Sequence, residues 1–205
     1  MAPQSDAQEP SGWRLVLGLG NPGAEYAGTR HNVGFDVLDL FASRRRLEWK
    51  FAGRALEACL PEFRTVLVKP LTYMNLSGVA LRHPMLERGP ISPASIFVIT
   101  DDFHLSLGGL RLRDSGSSGG HNGLASLEAC LESQGFPRLR IGVGQPGPSG
   151  AEVVDFVLSP FTASERPIIE ETLLTASWCV EDWVLGASFE ALQTRYNRRS
   201  PQADS

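Results

Sequence analysis

The chain has 205 residues, 42% of them hydrophobic and 20% charged, which suits one soluble globular domain with a full core. Its net charge of −4 argues against indiscriminate polyanion binding, and no run nears the ~18 apolar residues of a membrane span. Cys59, Cys130 and Cys179 form no Cys-x-x-Cys or Cys-x-His pair, so buried thiols in a reducing cytosol are expected rather than disulfides or zinc.

Residues 1–12 read as a tail lacking the basic flank and apolar stretch of a signal peptide. Trp13–Gly18 is apolar enough for a buried strand and runs into Gly18-x-Gly20-x-x-Gly23. Alone, that fingerprint points to a dinucleotide cofactor, whose pyrophosphate sits on a helix opened by the third glycine. Here Gly23 is followed by another glycine at 28, and apolar periodicity is delayed until Val33. The strand end carries Asn21, Tyr26, Arg30, His31 and Asn32 instead, which favours a catalytic loop over a cofactor loop.

Apolar residues at 33, 35, 37, 38, 40 and 41 predict a helix ending in Arg44–Arg46. Strands over Ala55–Leu60 and Arg64–Lys69 flank Pro61-Glu62-Phe63 as a hairpin. Met74–Arg88 reads as a helix broken near Pro84, with Thr72 as its cap and Asn75 in its first turn. Ser95–Thr100 is a central strand, and Asp101-Asp102 follows it directly. A strand over Leu110–Arg113 precedes the glycine- and serine-rich Ser115–Gly123, which leads into a helix over Gly123–Ser133. Leu139–Val143 is a strand, and Ser164–Tyr196 two amphipathic helices broken near Trp178. Residues 198–205 form a second tail. The expected fold class is α/β: a single domain over 13–197, with a twisted mixed sheet flanked by helices.

Four polar segments each follow a predicted strand, and in open α/β sheets ligands gather beyond the carboxyl ends of strands. They are Asn21–Asn32, Lys69–Gly78, Asp101-Asp102 and Ser115–Leu124. A carboxylate at Asp101 or Asp102 can orient an imidazole, although for an Asp pair taken alone a solvated turn or a helix cap is the better explanation. Basic residues cluster at Arg44–Arg46 with Lys50 and Arg54, Arg111 with Arg113, Arg138 with Arg140, and Arg195 with Arg198 and Arg199. Each cluster is an ordinary solvated surface unless it borders these segments.

Gly18-Leu-Gly-Asn-Pro-Gly with Tyr26-x-x-Thr-Arg-His-Asn-Val-Gly-Phe35 resembles the first signature of the bacterial-type peptidyl-tRNA hydrolases. Lys69-Pro-x-Thr-Tyr-Met-Asn-x-Ser-Gly78 and Gly119-Gly-His-Asn-Gly-Leu124 match further signatures in order, and 139–144 and 154–158 extend the likeness to nearly the whole chain. The resemblance implies hydrolysis of the ester joining a peptide to the 3′ end of tRNA, recycling tRNAs dropped by stalled ribosomes. His31 would be the general base that activates water, and Asp101 would orient and charge-stabilise it. Asn21 and Asn75 would hold the ester and its oxyanion, and Asn122 the water or peptide backbone. Tyr26, Tyr73 and Met74 would contact the terminal nucleotide or the peptide, and Arg113 and Arg140 would clamp the tRNA 5′-phosphate. No metal or cofactor is implied, and the expected state is a cytoplasmic monomer whose partner is peptidyl-tRNA.

Some positions depart from the family pattern. His104 replaces a carboxylate, Ala125 stands where Lys is common, and Gln145 where Arg or His is common. Ser115, Ser117 and Ser118 interrupt a loop usually richer in glycine. None of these touches the catalytic set, so activity is expected with altered tRNA affinity. Two rival readings are an NAD(P)-dependent oxidoreductase and a non-enzymatic RNA-binding relative; the latter has no need of the intact His31 and Asp101.

Overall fold

Alternating apolar residues in Arg14–Gly18 (β1) give that strand two buried faces, with Val16 in one core and Leu15 and Leu17 in the other. A strand buried on both sides belongs in the middle of a sheet, and β1 lies there in a computed structural model that describes residues 12–146 and 152–198. The expected tails, apart from Gly12 and Arg198, lie outside the described residues, as do residues 147–151. In chain order β1 is followed by α1 (Val33–Arg45), β2 (Lys50–Ala52), β3 (Ala55–Leu60), β4 (Thr65–Pro70) and α2 (Arg82–Arg88). Then come β5 (Ile96–Asp102), β6 (Leu110–Arg113), α3 (Asn122–Leu131), β7 (Arg138–Gly142), α4 (Glu152–Val157), α5 (Arg166–Val184) and α6 (Phe189–Tyr196).

The expected α/β class holds: seven strands form one mixed sheet in the order β2-β3-β4-β1-β5-β7-β6. β4, β1, β5 and β7 run parallel, while β2, β3 and β6 pair antiparallel with their neighbours. Residues from α1, α5 and α6 close the core on one face. On the other, Met74, Ala80 and Leu81 pack with Leu124 and Leu127 of α3.

Asn21, Tyr73 and Asp102 therefore all emerge from the same end of the sheet, because β1, β4 and β5 point the same way. Gly18 makes this end possible. A Cβ there would lie 2.3 Å from the Gly34 carbonyl oxygen, so the start of α1 presses directly on β1. Gly23 opens only a 3-10 turn, Ala24–Tyr26, as the delayed periodicity requires.

Several expectations shift. Met74–Leu81 is a 3-10 stretch rather than an α-helix, and α2 begins only at Arg82. Pro84 does not break the segment; it lies in the first turn of α2, where its missing N–H has no intrahelical partner to lose. Thr72 does not cap a helix, since its hydroxyl donates to the Leu76 carbonyl at 3.1 Å. α5 runs unbroken through Trp178, and the turn comes after Val184, where Gly186 takes φ 95°. Trp178 is half-exposed, with the Arg44 guanidinium 3.5 Å over its ring. Cys59 and Cys130 are exposed; only Cys179 is buried, and burial pushes its thiol up.

On α1, burial drives the Asp36 carboxyl up to about 6, with Asp39 adding to the rise and Lys69 opposing it. The folded state thus holds this proton more tightly than the unfolded chain, whose carboxyl titrates near ~3.9. The mismatch costs nothing at low pH and destabilises the fold progressively as pH rises through about 6. Asp36→Asn is therefore expected to stabilise the protein by about 1–2 kcal/mol near neutral pH and to be neutral below about pH 4. Urea denaturation of both forms at the two pH values measures this; equal gains at both would refute the assignment.

Candidate active site

At the end of β5 the two adjacent aspartates point apart, and both are buried. Asp101 Oδ1 lies 2.8 Å from His31 Nδ1 and 3.0 Å from His121 Nε2. Asp102 faces the other way, accepting from the His104 backbone N–H at 2.9 Å and pairing with Arg140 Nε at 2.8 Å. The side chains fall on opposite sides of the strand, as its period of two demands.

His121 is the N-cap of α3, and its Nδ1 accepts from the N–H groups of Gly123 at 3.1 Å and Leu124 at 3.3 Å. Backbone N–H groups only donate, so Nδ1 is bare and the ring proton sits on Nε2, aimed at Asp101 and at the Thr100 hydroxyl 2.9 Å away. His31 in turn donates from Nδ1 to Asp101, which leaves its Nε2 lone pair free to act as a base. Burial pushes the Asp101 carboxyl up, but the two imidazoles outweigh it and hold the group well below the usual carboxylate range. The rings of His31 and His121 lie 5.0 Å apart at 47°.

His31 gets its position from its neighbours in the 3-10 turn Arg30–Asn32. The buried Arg30 donates to the Val143 carbonyl at 3.0 Å and pairs with Glu165 at 2.7 Å, between the rings of Phe156 and Phe161. Asn32 reaches back to Asn21, accepting from its N–H at 2.9 Å and donating to its carbonyl at 3.0 Å. The Asn21 side chain accepts from the Met74 N–H at 2.8 Å, which fixes its amide so that Nδ2 remains as a donor.

The sequence-derived residues divide accordingly. His31, Asp101, Asn21 and the backbone of Met74 form one connected cluster. The Met74 side chain is core, only 5% exposed, rather than an open pocket wall. Asn75 and Asn122 are exposed, Tyr26 is half-buried, and Tyr73 is 61% exposed. Arg140 borders the cluster through Asp102, while Arg113 sits diagonally from it, opposite Arg138 and two residues farther along β6. Arg138 is not surface charge at all. It is 2% exposed and donates to the carbonyls of Gln134 and Ser117, tying the loop before His121 to the sheet. Arg44 and Arg45 pair with Glu181, Arg195 with Asp182 and Arg198 with Glu171, so these four side chains are ordinary ion-paired surface.

His31, Asp101 and His121 also form a donor set whose ligand atoms lie within 4.8 Å of one another. The proton on His121 Nε2 argues against a cation there, because a metal needs that nitrogen bare while Nδ1 is already occupied by two N–H donors.

The family model for peptidyl-tRNA hydrolase matches residues 15–204. The chain belongs to the peptidyl-tRNA hydrolase family. It is 44% identical to the peptidyl-tRNA hydrolase of Alkaliphilus metalliredigens over 186 residues, covering 89% of this chain and 98% of that protein. It is 44% identical to that of a Sulfurihydrogenibium species over 169 residues, or 82% and 88% of the two chains. The crystal structure of the Acinetobacter baumannii peptidyl-tRNA hydrolase superposes with a TM-score of 0.84 at 31% identity, covering 95% of this chain and all of that one. Family membership thus extends over the described fold, and the cluster around His31 falls within the matched span.

Proposed function

We propose that the chain hydrolyses the ester between peptide and tRNA, using water activated by His31. The observation that carries this reading is the pairing of His31 Nδ1 with the buried Asp101 carboxylate, which leaves Nε2 as the only free basic atom of the ring. Water gives a proton to Nε2 and its oxygen adds to the ester carbonyl. The tetrahedral intermediate then expels the 3′ oxygen of the tRNA, which takes the proton back from the imidazolium. The products are a free peptide carboxyl and a tRNA hydroxyl, and His31 is neutral again.

Asp101 stabilises the imidazolium, and His121 holds Asp101 from the other side. The Nδ2 donor of Asn21 faces the carbonyl oxygen as it gains charge, with Asn75 and Asn122 on the rim to hold the ester and the water. General-base catalysis supplies ~10²–10⁴-fold, and an oriented oxyanion donor ~10²–10³-fold. No nucleophilic Ser or Cys is needed for an ester, and the reading needs no metal. Tyr26 and Tyr73 offer ring faces to the terminal nucleotide or the peptide.

Arg140, its Nε on Asp102, keeps its two remaining guanidinium nitrogens for a phosphate oxygen, with Arg113 diagonally across from it on β6. A clamp of this kind reads backbone rather than base sequence, which suits an enzyme serving many tRNAs. The biological role is recycling of tRNA from stalled translation by a monomeric cytoplasmic enzyme. No described helix is long and apolar enough to cross a membrane.

The decisive assay is release of an N-acetylated amino acid from elongator tRNA with and without EDTA. Release at the same rate in both is expected; no release would remove the hydrolase reading, and loss only with EDTA would remove metal independence. Formyl-methionyl initiator tRNA should be spared, and equal cleavage of it would remove the 5′-phosphate role of Arg113 and Arg140.

A further inference from the structure

A peptidyl-tRNA ester has two arms, and the sheet order separates the surfaces available to them. From the His31–Asp101 pair, at the ends of β1 and β5, the Arg140 side lies across β7 and β6. The opposite side runs over β4 and β3 to the β2–β3 turn at Gly53-Arg54. Because Ala55 pairs with Pro70, this turn lies at the same sheet end as Asn21 and Tyr73. The Leu71 N–H donates to the Arg54 carbonyl at 2.8 Å, which ties the turn to the segment carrying Tyr73 and Met74.

A groove begins there, next to Asn21, walled by Pro22, Thr72, Tyr73 and Leu76 and closed at its far side by Arg54. A second groove continues from Arg54 past Val79 and Arg82 to Leu86. Tyr73, Leu76 and Leu86 are 61%, 46% and 84% exposed, so the track presents apolar surface to solvent beside the catalytic cluster. Among the described residues no carboxylate lines either groove, and the Arg54 and Arg82 side chains make no ion pair.

We propose that this track is the bed of the peptide arm, and that Arg54 gives the enzyme a preference for an acidic side chain at the third residue from the ester. The inference rests on the hydrolase reading above. The position follows from spacing. Two strand separations from β1 to β3 amount to about 10 Å, which an extended chain covers in about three residues. Tyr73 and Leu76 then underlie the first two peptide residues, where apolar side chains fit. Arg82 extends the same cationic edge for longer peptides.

The test compares four substrates on one elongator tRNA: an N-acetylated single amino acid, and N-acetylated tripeptides carrying Asp, Asn or Lys at the residue farthest from the ester. For the unaltered enzyme, kcat/KM should favour Asp over Lys by about three- to tenfold, the scale of one exposed ion pair and its reversal. Arg54→Ala should remove this ratio and Arg54→Glu should invert it, while both leave the single-residue substrate unchanged. A ratio indifferent to Arg54 would overturn the inference. So would Arg54→Glu slowing all four substrates alike, the pattern expected if RNA occupied the track. Cleavage of none of them by the unaltered enzyme would fell the hydrolase reading and this inference with it. Arg54 is a solvent-exposed turn residue whose structural bond is made by its carbonyl, so both variants keep that contact.

Discussion

Alanine at position 31 is expected to lower kcat/KM for N-acetyl-aminoacyl-tRNA by ~10²–10⁴-fold while leaving the melting temperature nearly unchanged. The His31 ring is one of two that share Asp101 Oδ1, and His121 still satisfies that carboxylate after its removal. Loss of the ring therefore strands no buried charge without a partner. Asp101→Asn separates orientation from charge. Its amide oxygen can accept the same two N–H groups, so His31 keeps its tautomer, but the negative charge that stabilises the imidazolium is gone. A fall of about tenfold to a thousandfold is expected, smaller than that of His31→Ala.

The acidic side of the pH profile follows from the direction of the Asp101 shift. Its carboxyl is held below its unfolded value, so its contribution to stability is fully present above ~pH 4 and fades only as pH falls below that. Loss of activity under milder acidity is then not a loss of the Asp101 charge. Near-normal turnover by His31→Ala, with the fold intact, would sink the mechanism.

The pairing of His31 with Asp101 was legible because the residues before His31 punctuate the strand end and the family signatures contain both positions. Its third member was not. His121 stands in Gly119-Gly-His-Asn-Gly, yet its partners Thr100 and Asp101 are 21 and 20 residues away, and no periodicity links them. The local clue was that a His just before a helix can cap it, which fixes its tautomer.

The 3-10 stretch over Met74–Leu81 escaped for a similar reason. Its apolar spacing resembles a helix, but a Cβ at Gly78 would lie 2.4 Å from the Ser126 carbonyl oxygen, so docking against α3 sets its winding. Among the charge clusters, Arg138 departed from the expected ordinary surface. Arg138 and Arg140 stand two apart on one face of β7, one buried under carbonyl acceptors and the other half-exposed beside Asp102, and the sequence holds no sign of which is which.

The Gly-x-Gly-x-x-Gly segment mattered as packing, and Gly34→Ala tests that most severely. A Cβ on Gly34 would lie 2.5 Å from both the N and O of Leu19 and 2.7 Å from the carbonyl oxygen of Ile99. These are backbone atoms, so no rotamer change can relieve the overlap. The Leu19 N–H to Ile99 carbonyl bond, 2.9 Å long, joins β1 to β5 where their ends carry Asn21 and Asp101. Relief requires α1 to lift from the sheet or that bond to part, and both displace the turn bearing His31 and Asn32.

Overpacking against backbone is expected to cost about 3 kcal/mol or more, lowering the melting temperature by roughly 6–12 °C for a domain of this size. Activity should fall even well below the new melting temperature. Gly28→Ala is the control: a Cβ there meets nothing within 4 Å, and only its φ of 71° opposes the change, so about 1–2 kcal/mol is expected. A melting temperature for Gly34→Ala at or above that of Gly28→Ala would show that the helix–strand contact does not set the geometry of the site. The reverse order, with activity lost at temperatures where Gly34→Ala is still folded, would tie the position of His31 to a glycine that touches no substrate.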